Sequence, residues 1–229
     1  MGKRLIVNAD GFGFTPGVNK GIVEAIKNGI VTSISCVVNF PYIKELPQIL
    51  SEFPNISPGI HFNLSVGRPV THPGKIPSLV NEKGEFWGDR LLSLILEGKI
   101  NKEEIETELE AQVKILLDLG IHPTHWDGHQ NKHLYPIFFN AAMKIAKKYN
   151  IRKMRTHRRY LFVSGNDKFR SLLLMKYYIS HPKQIISHIY SRLLMRIARS
   201  KGFIMADRLI TPGYLGEDRK FHLNTWLSI

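Results

Sequence analysis

Cysteine is almost missing from this chain. Cys36 is the single one among 229 residues, which excludes an intrachain disulfide and points to a reducing compartment. Inside "SISCVVNF" it reads as a small buried strand residue. Long apolar runs are missing as well. Only three apolar residues follow "MGKR", short of a secretory signal core, and no stretch approaches the roughly 20 residues of a membrane span; a cytoplasmic location is therefore expected. Ile6 stands where a myristoylation signal wants Ser or Thr. No internal repeat, low-complexity segment or linker-like break in composition divides the chain, so residues 1–229 read as a single domain. At 43% hydrophobic, that domain can build its core without disulfides.

Acid is scarce in one region only. Residues 1–150 hold 16 Lys and Arg against 15 Asp and Glu, whereas residues 151–229 hold 16 against 4, which places nearly all of the net +13 in the last third. A basic segment of this kind can meet phosphates or an anionic surface. The balanced first two thirds argue against nucleic acid as a partner. In "KQIISHIYSRLLMRIARSKG", Ile185, Ile189, Leu193 and Ile197 recur at the helical period with Arg192, Arg196 and Arg199 mainly to the other side. That basic helix, 183–201, is expected to pack its apolar stripe on the sheet in preference to touching a membrane surface.

Short apolar or alternating runs occur at "RLIVN", "TSISCVVNF", "GIHFNLS", "THWDGH", "IRKMR" and "GFIMA", separated mostly by helical segments. The alternation predicts an α/β fold with a mainly parallel sheet and crossover helices. In "NKEEIETELEAQVKILLDLG", Asn101 and Glu104 form a capping-box start, Gly120 a stop, and Ile105, Leu109, Val113, Leu116 and Leu117 one stripe. "PIFFNAAMKIAKKYN" opens on a first-turn proline, Pro136, and reads as a second outer helix. A short helix is expected near Asn224, and the chain stops within it without a cap.

Strand parity locates the polar groups. In "RLIVNAD", Ile6, Asn8 and Asp10 share a face; in "GIHFNLS", His61 and Asn63 lie opposite the apolar Ile60, Phe62 and Leu64. "HPTHWDGHQNKHLYP" places His122, His125, His129 and His133 with Asp127 inside twelve residues, denser than core packing needs. Trp126 breaks the HExxH pattern, and Pro123 and Gly128 argue against a helix. Read as a strand entering a loop, the segment sets His125, Asp127 and His129 on one face. Histidine and carboxylate at the carboxyl ends of parallel strands suit a catalytic divalent metal, zinc or, with more oxygen ligands, magnesium or manganese.

Three ordered motifs, "LIVNADGFGFTPGVNKGIVEAIKNGIVTSIS", "GIHFNLSVGRPV" and "THWDGHQNKHLYP", resemble those of the YdjC-like carbohydrate (chitooligosaccharide-type) deacetylases. The resemblance implies a TIM-like (β/α) barrel, seven-stranded in the family. It implies hydrolytic removal of acetyl groups from N-acetylated sugars with one divalent metal, magnesium in the first place, zinc or manganese otherwise. By position, Asp10 corresponds to the general base and His61 and His129 to two metal ligands. Arg155 in "KMRTH" corresponds to a substrate-binding arginine, and His125, Asp127 and His133 to residues that orient ligands. The family's second acid falls on Gly11, so a weakened metal site and impaired activity are expected. The family's "HPG" motif has no counterpart before Ile229, so a barrel lacking its last strand and helix units is also expected. The alternative is a glycan-binding relative without catalysis; a homodimer is left open.

Overall fold

A computed structural model describes residues 4–158 and 179–209. They fall into two compact units, Met1–Met154 and Arg155–Ile229. The first is an α/β unit built on a five-stranded parallel sheet whose spatial order repeats the chain order. Its strands are β1 (Asn8–Phe12), β2 (Ser33–Cys36), β3 (Ser57–Phe62), β4 (His125–Gly128) and β5 (Lys153–Met154). Sequential order with every strand parallel is the singly wound order of a (β/α) barrel; among the described residues the sheet is an open run from β1 to β5.

The sheet has two chemically distinct faces. Ile34, Cys36, Ile60, Phe62, Trp126 and Met154 point one way and are buried. Burial, and secondarily the charge of Asp127, pushes the Cys36 thiol well above its usual range, so it stays protonated. Helices α1 (Pro16–Asn28), α2 (Leu46–Glu52), α3 (Leu91–Leu96), α4 (Lys102–Asp118) and α5 (Pro136–Lys148) account for most of the crossovers. In α4 the expected stripe is the buried one, with Ile105, Leu109, Val113 and Leu116 at 0% exposure, while Leu117 is half-buried.

Only half of the expected capping box forms. The Asn101 side chain accepts from the Glu103 and Glu104 amides, but the Glu104 carboxylate accepts from the Ser78 amide at 2.8 Å and not from Asn101. The Asn101 amide donates to Ser78 Oγ instead, at 3.0 Å. The box partner has been diverted to pin the preceding loop.

Two buried polar groups on α4 fix the chain beyond β3. Gln112 brackets the Asn63 peptide, accepting from its N–H at 3.0 Å and donating to its carbonyl at 2.6 Å. Glu108 accepts from the Val70 and Thr71 amides and from Gln112. Burial raises the Glu108 pKa despite these donors. Asn63 therefore anchors this loop, accepting from the Ser65 and Val66 amides.

Three further sequence-based expectations need correction. "RLIVN" is not itself the first strand: β1 starts at Asn8, and Leu5 and Ile6 are 64% and 67% exposed. The sheet partner of Asn8 is Ser33, the first residue of β2, so the ladder begins where both strands can pair. "GFIMA" forms no strand, only a single bridge position at Ile204.

The third concerns α6 (Pro182–Ser200) in the second unit. Its buried row is His188, Ser191, Leu194, Met195 and Ala198, whereas Ile185, Ile189 and Leu193 are 41%, 65% and 52% exposed. Both rows have the helical period, and the one containing Ser and Ala, which permits close approach, is the one buried. The expected helix near Asn224 lies outside the described residues. No helix among the described residues is long and apolar enough to cross a membrane.

Candidate active site

Because strands are parallel and in register, residues paired across the sheet share a face. Asn8 pairs with Ser33, Asp10 with Ser35, Ser35 with Gly59 and His61 with Asp127. One face thus collects Asn8, Asp10, Ser33, Ser35, His61 and Asp127, with Asp10, His61 and Asp127 towards the carboxyl ends.

These side chains form one connected hydrogen-bond ladder across four strands. Ser33 Oγ donates to Asn8 Oδ1 at 2.6 Å. Asn8 Nδ2 donates to Asp10 Oδ1 at 2.6 Å and to Ser35 Oγ at 2.9 Å. Ser35 Oγ donates in turn to Asp127 Oδ2 at 2.8 Å, and His61 Nδ1 donates to Asp127 Oδ1 at 2.5 Å. Asp127 and His61 are 1% and 4% exposed, while Asp10 is open to solvent. A buried carboxylate with one oxygen on a hydroxyl and the other on an imidazole is well satisfied. It also sets the His61 tautomer, leaving the Nε2 lone pair available.

His129, the first residue after β4, stands next to His61, the rings 5.5 Å apart and nearly perpendicular. Burial, with the nearby His61 and Lys132, pushes its pKa down to about 4 against the pull of Asp10 and Asp127. At neutral pH it is an uncharged imidazole. The turn that follows is unusual: Gln130 and Asn131 both have left-handed φ, 53° and 57°, a costly pair for residues with side chains. Buried Lys132 ends the turn, donating to the Gly88 carbonyl at 2.7 Å and to Asp89 at 3.2 Å.

The remaining histidines of the cluster lie elsewhere. His125 is at the amino end of β4, its ring over Gly59, where any Cβ would sit 2.3 Å from it. His133 is buried beneath Gly128, edge-on to the Trp126 ring at 6.1 Å. His122 is exposed. Arg155 is half-buried at the start of the second unit. A groove lined by Thr71, His72, Lys75, Thr107, Glu110 and Lys114 includes none of the ladder residues.

Gly11 has φ +95°, where side chains are rarely tolerated, although a Cβ there would meet nothing closer than Val18 Cγ1 at 3.7 Å. The position has room for a side chain but a backbone adapted to glycine. For a divalent cation the donors fit in part. His61, with Nδ1 committed to Asp127, and neutral His129 are suitable ligands. Among the described residues, however, no three His, Cys, Asp or Glu side chains are placed to hold an ion together.

Sequence reasoning brought Asp10, His61, Asp127 and His129 to one region. It missed Ser35, although the alternation in "SISC" puts Ser33 and Ser35 on the Asn8 face once β1 and β2 pair.

Residues 4–223 match the family model described as YdjC-like protein. The chain belongs to the YdjC-like family. It is 40% identical over 162 residues to a carbohydrate deacetylase of Geobacillus stearothermophilus, covering 69% of this chain and 62% of that protein. Over 149 residues it is 40% identical to a carbohydrate deacetylase of Thermoanaerobacter pseudethanolicus, covering 65% and 59%. Over 147 residues it is 39% identical to a chitooligosaccharide deacetylase of Citrobacter koseri, covering 64% and 56%. The chain spans about three fifths of the length of these curated relatives. A crystal structure of an Enterococcus faecalis protein, proposed but not established to be a cellobiose-phosphate cleavage protein, superposes with a TM-score of 0.73 at 27% identity, covering 97% of this chain and 72% of the other. The YdjC-like match spans both compact units.

Proposed function

We propose that this YdjC-like chain carries a carbohydrate N-deacetylase site, hydrolysing the acetamide of an acetylated amino sugar. The observation that supports this reading most is the ladder from Asp10 to His61, at the strand ends of a chain similar to proteins named as such deacetylases. Asp10, solvent-open at the lip of β1, takes a proton from the attacking water. It returns that proton to the amine nitrogen as the C–N bond breaks, so that acetate and a free amino sugar leave. Asn8 donates to Asp10 Oδ1 and so orients the carboxylate at the solvent-open lip.

His61 and His129 would hold a divalent metal. When bound, such an ion supplies polarisation of the acetyl carbonyl and acidification of water. Two imidazoles without a second carboxylate favour zinc over the magnesium expected from the resemblance, because magnesium prefers oxygen ligands. With two protein donors the ion is held weakly.

The test is acetate release from N-acetylglucosamine oligomers, with metal content, for the unaltered protein and for His61→Ala/His129→Ala. The reading expects turnover stimulated by added zinc and lost in the double variant. Turnover indifferent to chelation would remove the metal from the account. A second reading is a glycan-binding protein without turnover, favoured by Gly11 and the two-donor site. It expects sugar binding with no acetate released at any metal concentration.

A further inference from the structure

Residues 11–15 hold a second aromatic ring, placed beside the polar site. The core at this end of β1 is closed by Phe12, fully buried at 0% exposure. Two residues on, Phe14 is only half-buried. Its ring lies 5.6 Å from that of His129, at a 36° tilt, and 4.5 Å from that of Phe40. Phe40, Phe14, His129 and His61 therefore form a continuous row of rings ending at the ladder.

The backbone beneath Phe14 is clamped. Gly13 has φ +94°, and a Cβ there would stand 2.5 Å from the Val37 carbonyl oxygen, so only glycine fits. Its amide donates to Asn19 Oδ1 at 2.6 Å, and Asn19 is itself buried and donates to the Tyr42 carbonyl and Glu45. The Phe14 amide donates to the Gly11 carbonyl at 3.1 Å, and Thr15 caps α1 immediately afterwards. Phe40 is fixed from behind by Gly67, where a Cβ would come within 2.8 Å of its ring. This chain spends two glycines and a buried asparagine on presenting a half-buried aromatic beside a polar site.

We propose that Phe14 is the platform on which the pyranose ring of the substrate packs, the acetamido group then lying towards Asp10 and His129. The chemistry is that of a C–H-rich sugar face against the electron-rich face of an aromatic ring, a flat apolar contact beside a few polar groups that orient the ligand. Phe40 backs the platform and does not touch the sugar. The inference rests on the deacetylase reading for the identity of the acetylated sugar, and on the ring row alone for the contact.

The experiment uses N,N′-diacetylchitobiose as probe, with direct binding followed by saturation-transfer NMR and titration calorimetry, and turnover by acetate release. Phe14→Leu keeps an apolar side chain against Phe40 and removes the aromatic face; Phe14→Tyr keeps that face. The expected result is a roughly tenfold rise in Kd and KM for Phe14→Leu, with kcat changed less than threefold, the pattern of lost uniform binding. Phe14→Tyr should restore affinity to within twofold. A thermal midpoint for Phe14→Leu within a few degrees of the unaltered protein keeps the comparison free of unfolding.

Binding lost in Phe14→Leu from a protein that never releases acetate would support the platform and overturn the deacetylase reading. Turnover in the unaltered protein with an unchanged KM in Phe14→Leu would overturn the platform and leave that reading standing. An unaltered protein that neither binds nor cleaves the disaccharide would overturn both.

Discussion

The lip of β1 and the ends of β3 and β4 carry acids of opposite character. Asp127 is 1% exposed, with one oxygen on Ser35 and the other on His61. Asp10 is solvent-open, held at one oxygen by Asn8 and followed by a glycine at φ +95°. One carboxylate is part of the core and builds the site; the other is presented by it. The difference separates stability from chemistry: a buried residue wired on both sides fixes its neighbours, whereas one open to solvent can exchange a proton with water.

Substitution at the buried acid should have the largest effect on folding. Asp127→Ala leaves Ser35 Oγ and His61 Nδ1 without their acceptor and should cost about 3 kcal/mol or more in urea unfolding. Asp10→Asn, by contrast, should stay within about 0.5 kcal/mol. Equal losses for the two would erase the contrast.

Next in size is Glu108→Ala, which strips acceptors from the Val70 and Thr71 amides and from Gln112. A loss of about 2 kcal/mol is expected, with faster hydrogen exchange at Val70 and Thr71 as the local signature.

Gly11→Asp sharpens the comparison from the other side. Forcing a side chain onto the positive φ should destabilise the protein by about 1 kcal/mol, while calorimetric zinc affinity rises roughly tenfold if the new carboxylate reaches the ion. A gain in stability would mean that the glycine conformation is not needed.

The smallest effect is at Glu110, which joins α4 to α5 through Lys148 at 2.8 Å and Tyr149 at 2.8 Å. These hydrogen bonds, led by Lys148, hold its pKa at about 2. A folded pKa below the ordinary 4.5 gives stability that is present above pH 4.5 and lost as pH falls towards 2. Only a few tenths of a kcal/mol are involved for so accessible a pair. Glu110→Gln should flatten the acid limb of the stability profile by that amount.

Much of this was legible in the sequence, for definable reasons. Parity paired Asn8 with Asp10 because a two-residue period survives wherever the strand begins, even though β1 starts three residues later than its apolar run suggests. The α4 stripe was legible because its apolar residues fill one face, while Glu108 and Gln112, buried among them, were not, since burial there depends on loop peptides that sequence does not place. The four-histidine cluster misled in detail: one histidine joins the site, and two pack against glycines whose missing side chains make the room. In α6 two rows share the helical period, and hydropathy selects the wrong one.

The central claim is that Asp10 moves the proton in hydrolysis of a sugar acetamide. It is tested most directly by zinc-supplemented acetate release from N,N′-diacetylchitobiose by the unaltered protein and by Asp10→Asn at matched thermal stability. The account predicts measurable release that falls by about 10²- to 10⁴-fold in the variant. Undiminished release by Asp10→Asn would contradict it.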